Sequence, residues 1–221
     1  MRARQRKDAE NQAGHAAAFW DRRAARYDKA VGEGRGFHRS MISRIRQALN
    51  PDDTVAEIGC GTGAVACAIA PRVKAVYAGD IAPGMLEIAG ARAREQGLRN
   101  IHFSFENACA LSYPDGFCDA VIICAALHLL PRPEAAMAEI RRILKPGGLL
   151  LASSYLAGQS LMSRLGNALM SIGGYRDWQK WQADAFRSFL KDQGFTQISC
   201  SYYPVFPVPV LYVTSRKNTA V

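Results

Sequence analysis

Apolar positions along this chain follow two periods, one helical and one alternating. Trp20, Ala24, Tyr27 and Val31 recur at i, i+4, i+7 and i+11, which predicts one helix from His15 to Val31. The stretch Gly32 to Gly36 breaks it. Phe37, Met41, Ile45 and Ala48 then mark a second helix, stopped at Asn50 because Pro51 disfavours helical geometry in the residue before it. Beyond this pair, strand and helix patterns take turns. "TVAEI" (54–58) reads as a strand, Gly63 to Ala70 as a helix, "KAVYAGD" (74–80) as a strand, and Pro83 to Glu95 as a helix with Gly97 just past its end. "IHFSFE" (101–106) is a third strand, and "FCDAVIICAA" (117–126) a fourth, apolar on both faces as a strand between helix layers should be. A helix from Glu134 to Leu144, ended by "KPGG", leads to a fifth strand, "LLLASSY" (149–155).

The last third departs from that rhythm. Leu161, Met162, Leu165, Leu169 and Ile172 form a helical stripe before Gly173 and Gly174, and Trp178 to Gln193 reads as a helix closed by Gly194. Phe195 to Tyr203 and Val210 to Ser215 read as strands joined by a short proline-bearing link, so one of them should run antiparallel to the rest. The fold class expected is α/β: a Rossmann-like, doubly wound, mostly parallel seven-stranded sheet with one antiparallel strand near the C-terminus and helices on both faces. The expected organisation is a mobile basic tail (1–14) and a single domain (15–221), within which 15–50 form an N-terminal helical lid and 156–177 a helical cap over the substrate.

Composition narrows the classes. With 221 residues, 49% hydrophobic and 21% charged, the chain suits one globular domain. The opening "MRARQRKDAENQ" leads into polar residues rather than an apolar segment, which predicts no secretory signal and a cytoplasmic protein. The six cysteines show no C-x-x-C pair and no zinc-like grouping with the four histidines, so no metal is expected. The net charge of +9 is uneven: residues 1–46 hold 12 Lys/Arg against 5 Asp/Glu, the remainder 16 against 14. That basic segment either is a solvated face or meets an anionic membrane surface, a nucleic acid or an acidic substrate.

Candidate chemistry lies in "VAEIGCGTG" (55–63). Gly59, Gly61 and Gly63 crowd a strand-to-helix turn, the place where an open parallel sheet brings backbone close to a ligand. Asp80 ends the second strand 21 residues after Gly59, where a carboxylate can accept hydrogen bonds from ribose hydroxyls. Glu57 puts a negative charge beside the loop, which repels a pyrophosphate and holds an ammonium group. "VAEIGCGTG" resembles the first motif of the class I S-adenosylmethionine-dependent methyltransferases. "GDIAPGML" (79–86), "NACALSYPDGFCDAVIICAALHLL" (107–130) and "EIRRILKPGGLLLAS" (139–153) are similar to later motifs of that family, in order and in register.

The resemblance implies that S-adenosylmethionine is the cofactor and that its methionine end meets Gly59, Cys60, Gly61, Gly63 and Glu57. It further implies Asp80 on the ribose, Ile81 and Met85 beside the adenine, Asn107 and Ala108 at its edge, and Cys124 close by. The family usually has Asp at position 107; an asparagine carbonyl still accepts a hydrogen bond there, without charge. His128, just past strand four, is a candidate base, with helix capping or a satisfied surface histidine as the alternative. Tyr27 is a second catalytic candidate, and Phe19, Trp20 and the Tyr27–Asp28 pair resemble the family's lid, with core packing as their plain alternative.

The acceptor is expected to be a small, fairly hydrophobic molecule such as a quinone precursor, secondary metabolite or lipid headgroup, met by Phe19, Trp20, Met162, Tyr203 and Phe206. Two alternatives remain: an RNA-modifying methyltransferase, disfavoured by the lack of an aromatic-interleaved basic patch, and a non-catalytic cofactor binder. Partners beyond the acceptor are expected to be few: peripheral membrane contact through the basic N-terminus, and a monomer or homodimer.

Overall fold

The computed structural model describes residues 14–31, 36–172 and 177–219; the expected mobile tail, the break over 32–35 and the Gly173–Gly174 helix end lie outside the described residues. Among the described residues, eight α-helices and seven strands follow in order: α1 (14–21), α2 (Ala24–Val31), α3 (Gly36–Ala48), β1 (Thr54–Ile58), α4 (Ala64–Ile69), β2 (Ala75–Asp80), α5 (Pro83–Glu95), β3 (Ile101–Phe105), β4 (Cys118–Cys124), α6 (Pro133–Ile143), β5 (Leu144–Tyr155), α7 (Leu161–Ile172), α8 (Ala183–Asp192), β6 (Phe195–Tyr203) and β7 (Val210–Lys217). The strands form one sheet in the order β3-β2-β1-β4-β5-β7-β6. Strands β2/β3, β1/β4 and β4/β5 pair parallel, and β7 runs antiparallel to both β5 and β6. This is the expected fold class, and β7 is its antiparallel strand. No described helix is long and apolar enough to cross a membrane.

Two compact units divide the chain. The first comprises Met1–Asp52 and Gly59–Asn107, with α5 packed on β2 and β3 and α2 packed on α5. The second comprises Asp53–Ile58 and Ala108–Val221, and its core is built on β4 and β5, where Val121, Ile122, Ile123, Leu150 and Leu151 are fully buried. Burial of four consecutive positions of β4, Ala120 to Ile123, is what an apolar run predicts for a strand covered on both faces.

Three expectations need correction. The single helix from His15 to Val31 is broken at Arg22 and Arg23, where Arg23 N bonds three residues back to Trp20 O (3.0 Å) and the Arg23 guanidinium sits 3.7 Å from the Phe19 ring centre. The helix expected from Trp178 begins only at Ala183, because tertiary bonds take up the preceding backbone. Trp178 N and Gln179 N both donate to His128 O, and Gly158 N donates to Trp181 O. "KPGG" does not lie outside β5: Leu144 pairs with Cys118 and Leu149 with Ala120, so four residues bulge opposite one.

Candidate active site

In the first unit the site is built on the turn after β1. Gly59, Gly61 and Gly63 all have positive φ (70°, 53° and 75°), a conformation that side chains resist, so three glycines in five residues are a backbone requirement. Gly59 N and Cys60 N both donate to Gly79 O on β2 (2.8 and 3.0 Å), and Gly63 lies so close to α5 that a Cβ there would sit 2.8 Å from the Ala89 Cβ. Nothing larger than glycine fits.

Asp80 ends β2 under this turn. Its Oδ2 accepts from Gly61 N (2.8 Å) and its Oδ1 from Ala82 N (2.9 Å). Each oxygen has a further lone pair to offer. Burial pushes the carboxyl above its ordinary value; the amides of Ala82, Gly61 and Ile81 pull it back, and the Asp21 carboxylate pushes up again. Acidic groups held this way favour a ligand that donates hydrogen bonds to them.

The N-terminal helices reach the same place. The Tyr27 ring lies 3.6 Å from where a Gly61 Cβ would be, and Trp20 and Tyr27 pack on the Ala82–Met85 cluster with ring centres 5.9 Å apart. Asp28 takes a hydrogen bond from Thr62 Oγ1 inside the glycine turn and another, ion-paired, from Arg92 on α5. Asp21 accepts from Gly84 N (2.8 Å) in the first turn of α5, whose own N-cap position, Ala82, supplies no side-chain bond. Phe19 stands edge-on to Trp20 at 5.0 Å. Ile81 and Asn107 are half-buried, and Cys60 is buried. Sequence alone gave Asp28 a place beside Tyr27 but no role to Asp21, Thr62 or Arg92. Their partners lie 34 to 64 residues away, beyond any local periodicity.

In the second unit, Glu57 is buried at the end of β1, and Cys124 ends β4 with a thiol pushed up to about 12. Desolvation is the main cause, the Ser153 hydrogen bond opposes it, and the Glu57 charge adds to it. Ala108 is half-buried.

A family model described as a methyltransferase domain matches residues 56–152, the run from β1 to β5 that holds the glycine turn and Asp80. Over those residues the chain is similar to methyltransferases. A malonyl-[acyl-carrier protein] O-methyltransferase of Serratia marcescens is 30% identical over 169 residues, 76% of this chain and 62% of that one. A ubiquinone/menaquinone biosynthesis C-methyltransferase of Methylobacterium nodulans is 34% identical over 133 residues, 54% of this chain and 50% of that one. The chain thus spans between half and two thirds of these relatives. A solved S-adenosylmethionine-dependent methyltransferase of Thermotoga maritima shares the fold, with a TM-score of 0.73 at 19% identity, covering 91% of this chain and 99% of that one.

The glycine turn and Asp80 suit S-adenosylmethionine. The glycine turn is a cradle that a Cβ at Gly63 would fill, and Asp80 is an acceptor pair at ribose reach along the chain. His128 is placed differently from an open base. It is fully buried, with Nδ1 3.4 Å from Ser154 Oγ, Nε2 3.6 Å from Asp177 Oδ1 and its ring edge-on to Tyr155. The Asp177 carboxylate favours the protonated ring, but burial prevails and draws the imidazole down to about 3. Of the expected acceptor contacts in this unit, Tyr203 is half-buried, whereas Met162 and Phe206 are exposed (57% and 80%).

Proposed function

We propose that this chain transfers the methyl group of S-adenosylmethionine to a small, largely apolar acceptor. The observation that carries the reading is the Asp80 carboxylate fastened by Gly61 N and Ala82 N beneath a turn of three positive-φ glycines. When bound, the cofactor supplies a methyl group already activated by a positively charged sulfur. The chain therefore has to hold, align and keep dry rather than to generate a reactive species. In this assignment the turn from Gly59 to Gly63, with Cys60 and Glu57, holds the methionine end. Asp80 takes the ribose hydroxyls, and Ile81, Met85, Asn107, Ala108 and Cys124 are the further residues assigned to the cofactor. Phe19, Trp20 and Tyr27 cover the bound nucleoside, so residues 15–50 act as a lid. Met162, Tyr203 and Phe206 meet the acceptor from the 156–177 cap side. Tyr27 acts by covering. His128 acts by fixing backbone, since its ring is enclosed and its carbonyl accepts from Trp178 N and Gln179 N.

The named relatives suggest two acceptor classes to try first: an acidic acyl thioester and a lipid quinone. Thermal shift tests the cofactor step. S-adenosylhomocysteine should raise the melting temperature of the wild-type chain, as any ligand of the native state must, and Asp80→Ala should remove most of the rise. A wild-type melting temperature unmoved at saturating nucleoside would overturn the assignment. A second reading, RNA modification, is favoured by the exposed Arg39, Arg46 and Arg72 around a 520 Å³ groove also lined by Ile42 and Ala68. It requires RNA binding that weakens steeply with salt.

A further inference from the structure

α7 is built inside out. A surface helix normally turns its apolar stripe inward. Here Ser163 and Asn167 are buried, while Leu161, Met162, Leu165 and Leu169 are 74%, 57%, 60% and 71% exposed. The rotation is fixed by its contacts. Ser163 N donates to Ser160 Oγ and Ser160 N to Ser163 Oγ, a reciprocal cap at the helix start, and Ser163 Oγ donates to Ser160 O (2.9 Å). At Gly166 an added Cβ would lie 2.5 Å from the Pro207 Cβ, so the small and polar side of α7 is seated on the 204–209 loop. Turning the leucines inward would drive a large side chain into Pro207. Phe206, next to Pro207 in that loop, is itself 80% exposed and adds to the apolar surface open to solvent beside α7.

We propose that this face of α7, with Phe206, docks on the surface of an anionic lipid bilayer. Charge selects that occupant. Between residues 156 and 172 the only ionisable side chain is Arg164, which is exposed. Gly158, at the approach to α7, packs against the backbone of Lys180 and Trp181, which adds a second exposed cation in Lys180 and places Trp178, 39% exposed, on the same segment. A second copy of this chain docked face to face would set arginine against arginine with no carboxylate in the helix to offset them. Acidic headgroups supply the countercharge, and the acyl boundary takes the leucines. This is the geometry of a helix lying in the interface plane, giving weak and reversible binding. Met162 and Phe206 also stand in the acceptor assignment above, so the test replaces only Leu165, Leu169 and Arg164 and reads vesicle binding, not methyl transfer.

The full chain is sedimented with vesicles of phosphatidylcholine, with and without phosphatidylglycerol, beside two variants: Leu165→Gln with Leu169→Gln, and Arg164→Glu. All replaced side chains are exposed, and unchanged melting curves certify the fold. Wild type should sediment with the phosphatidylglycerol vesicles. The double-leucine variant should bind roughly tenfold more weakly or worse. Arg164→Glu should lose the dependence on acidic lipid. Wild type left in the supernatant, or a double-leucine variant sedimenting equally, overturns the proposal. So does a wild-type dimer in velocity sedimentation that the leucine changes turn into monomer, because a second copy would then cover the face.

Discussion

Two backbone amides, of Gly61 and Ala82, point at the two oxygens of the buried Asp80 carboxylate. Replacing it by asparagine sets an NH₂ group against one of those N–H groups, two donors facing each other out of water. Asp80→Asn should therefore cost about 1–3 kcal/mol in the free chain, read by urea titration, and should also lose the melting shift with S-adenosylhomocysteine. Asp80 rises above its ordinary value through burial, so cofactor affinity should fall at a higher pH than an ordinary carboxylate would set, as followed by calorimetry across the acid range. His128 supplies a pH signature of a different kind. Its folded value is near 3 and its unfolded value near 6.5, so below about 6.5 the unfolded chain takes up a proton that the folded chain refuses. Stability should drop by about 2 kcal/mol between pH 7.5 and pH 5, and the same denaturant titrations on His128→Gln should lack that component. Its enclosure among Ser154, Asp177 and Tyr155 left no trace in the sequence, where a histidine after a strand looks alike whether it faces solvent or core.

Among elements, the stiffest join is between the glycine turn and the helices that flank it. Gly63→Ala would place a Cβ 2.8 Å from the Ala89 Cβ and keep φ at 75°, whereas Gly97→Ala meets nothing within 4 Å at φ 66°. The second should cost about 1 kcal/mol, the strain of a left-handed alanine, and the first clearly more, because α5 must also move. Melting of the two variants side by side separates strain from collision. Asp28→Ala removes the partner of both Thr62 and Arg92, and should speed amide hydrogen exchange along α2 while leaving β4 and β5 unchanged. The strands and α5 were legible because period and punctuation agree there: Pro83 opens α5 and Gly97 follows it. The late start of α8 was not. His128 O and Gly158 N capture the backbone of 178–181, and tertiary bonds of that kind override a stripe of apolar residues. Nor does a stripe say which way it faces: Leu161, Leu165 and Leu169 read as one stripe of a helical cap and stand in solvent.

For the molecule as a whole, a fold hosts many chemistries, so the match of residues 56–152 to a methyltransferase domain does not name the acceptor. A net charge of +9 permits both an anionic metabolite and a nucleic acid. Incubation of a cell extract with tritiated S-adenosylmethionine should put label in the organic-extractable fraction; label confined to RNA would favour the second reading. The site's recognisable half was the backbone half, glycines and a strand-ending aspartate whose spacing is local. Its hidden half was made of side chains that meet across long stretches of chain, and Asp21 shows what this entails. The first-turn amide of α5, one residue before Met85, finds its acceptor 63 positions upstream. A shortened recombinant version beginning at α2 would thus lose the acceptor of that amide: the first turn of α5 would fray, and the trimmed protein should exchange its Gly84 amide faster than the full chain.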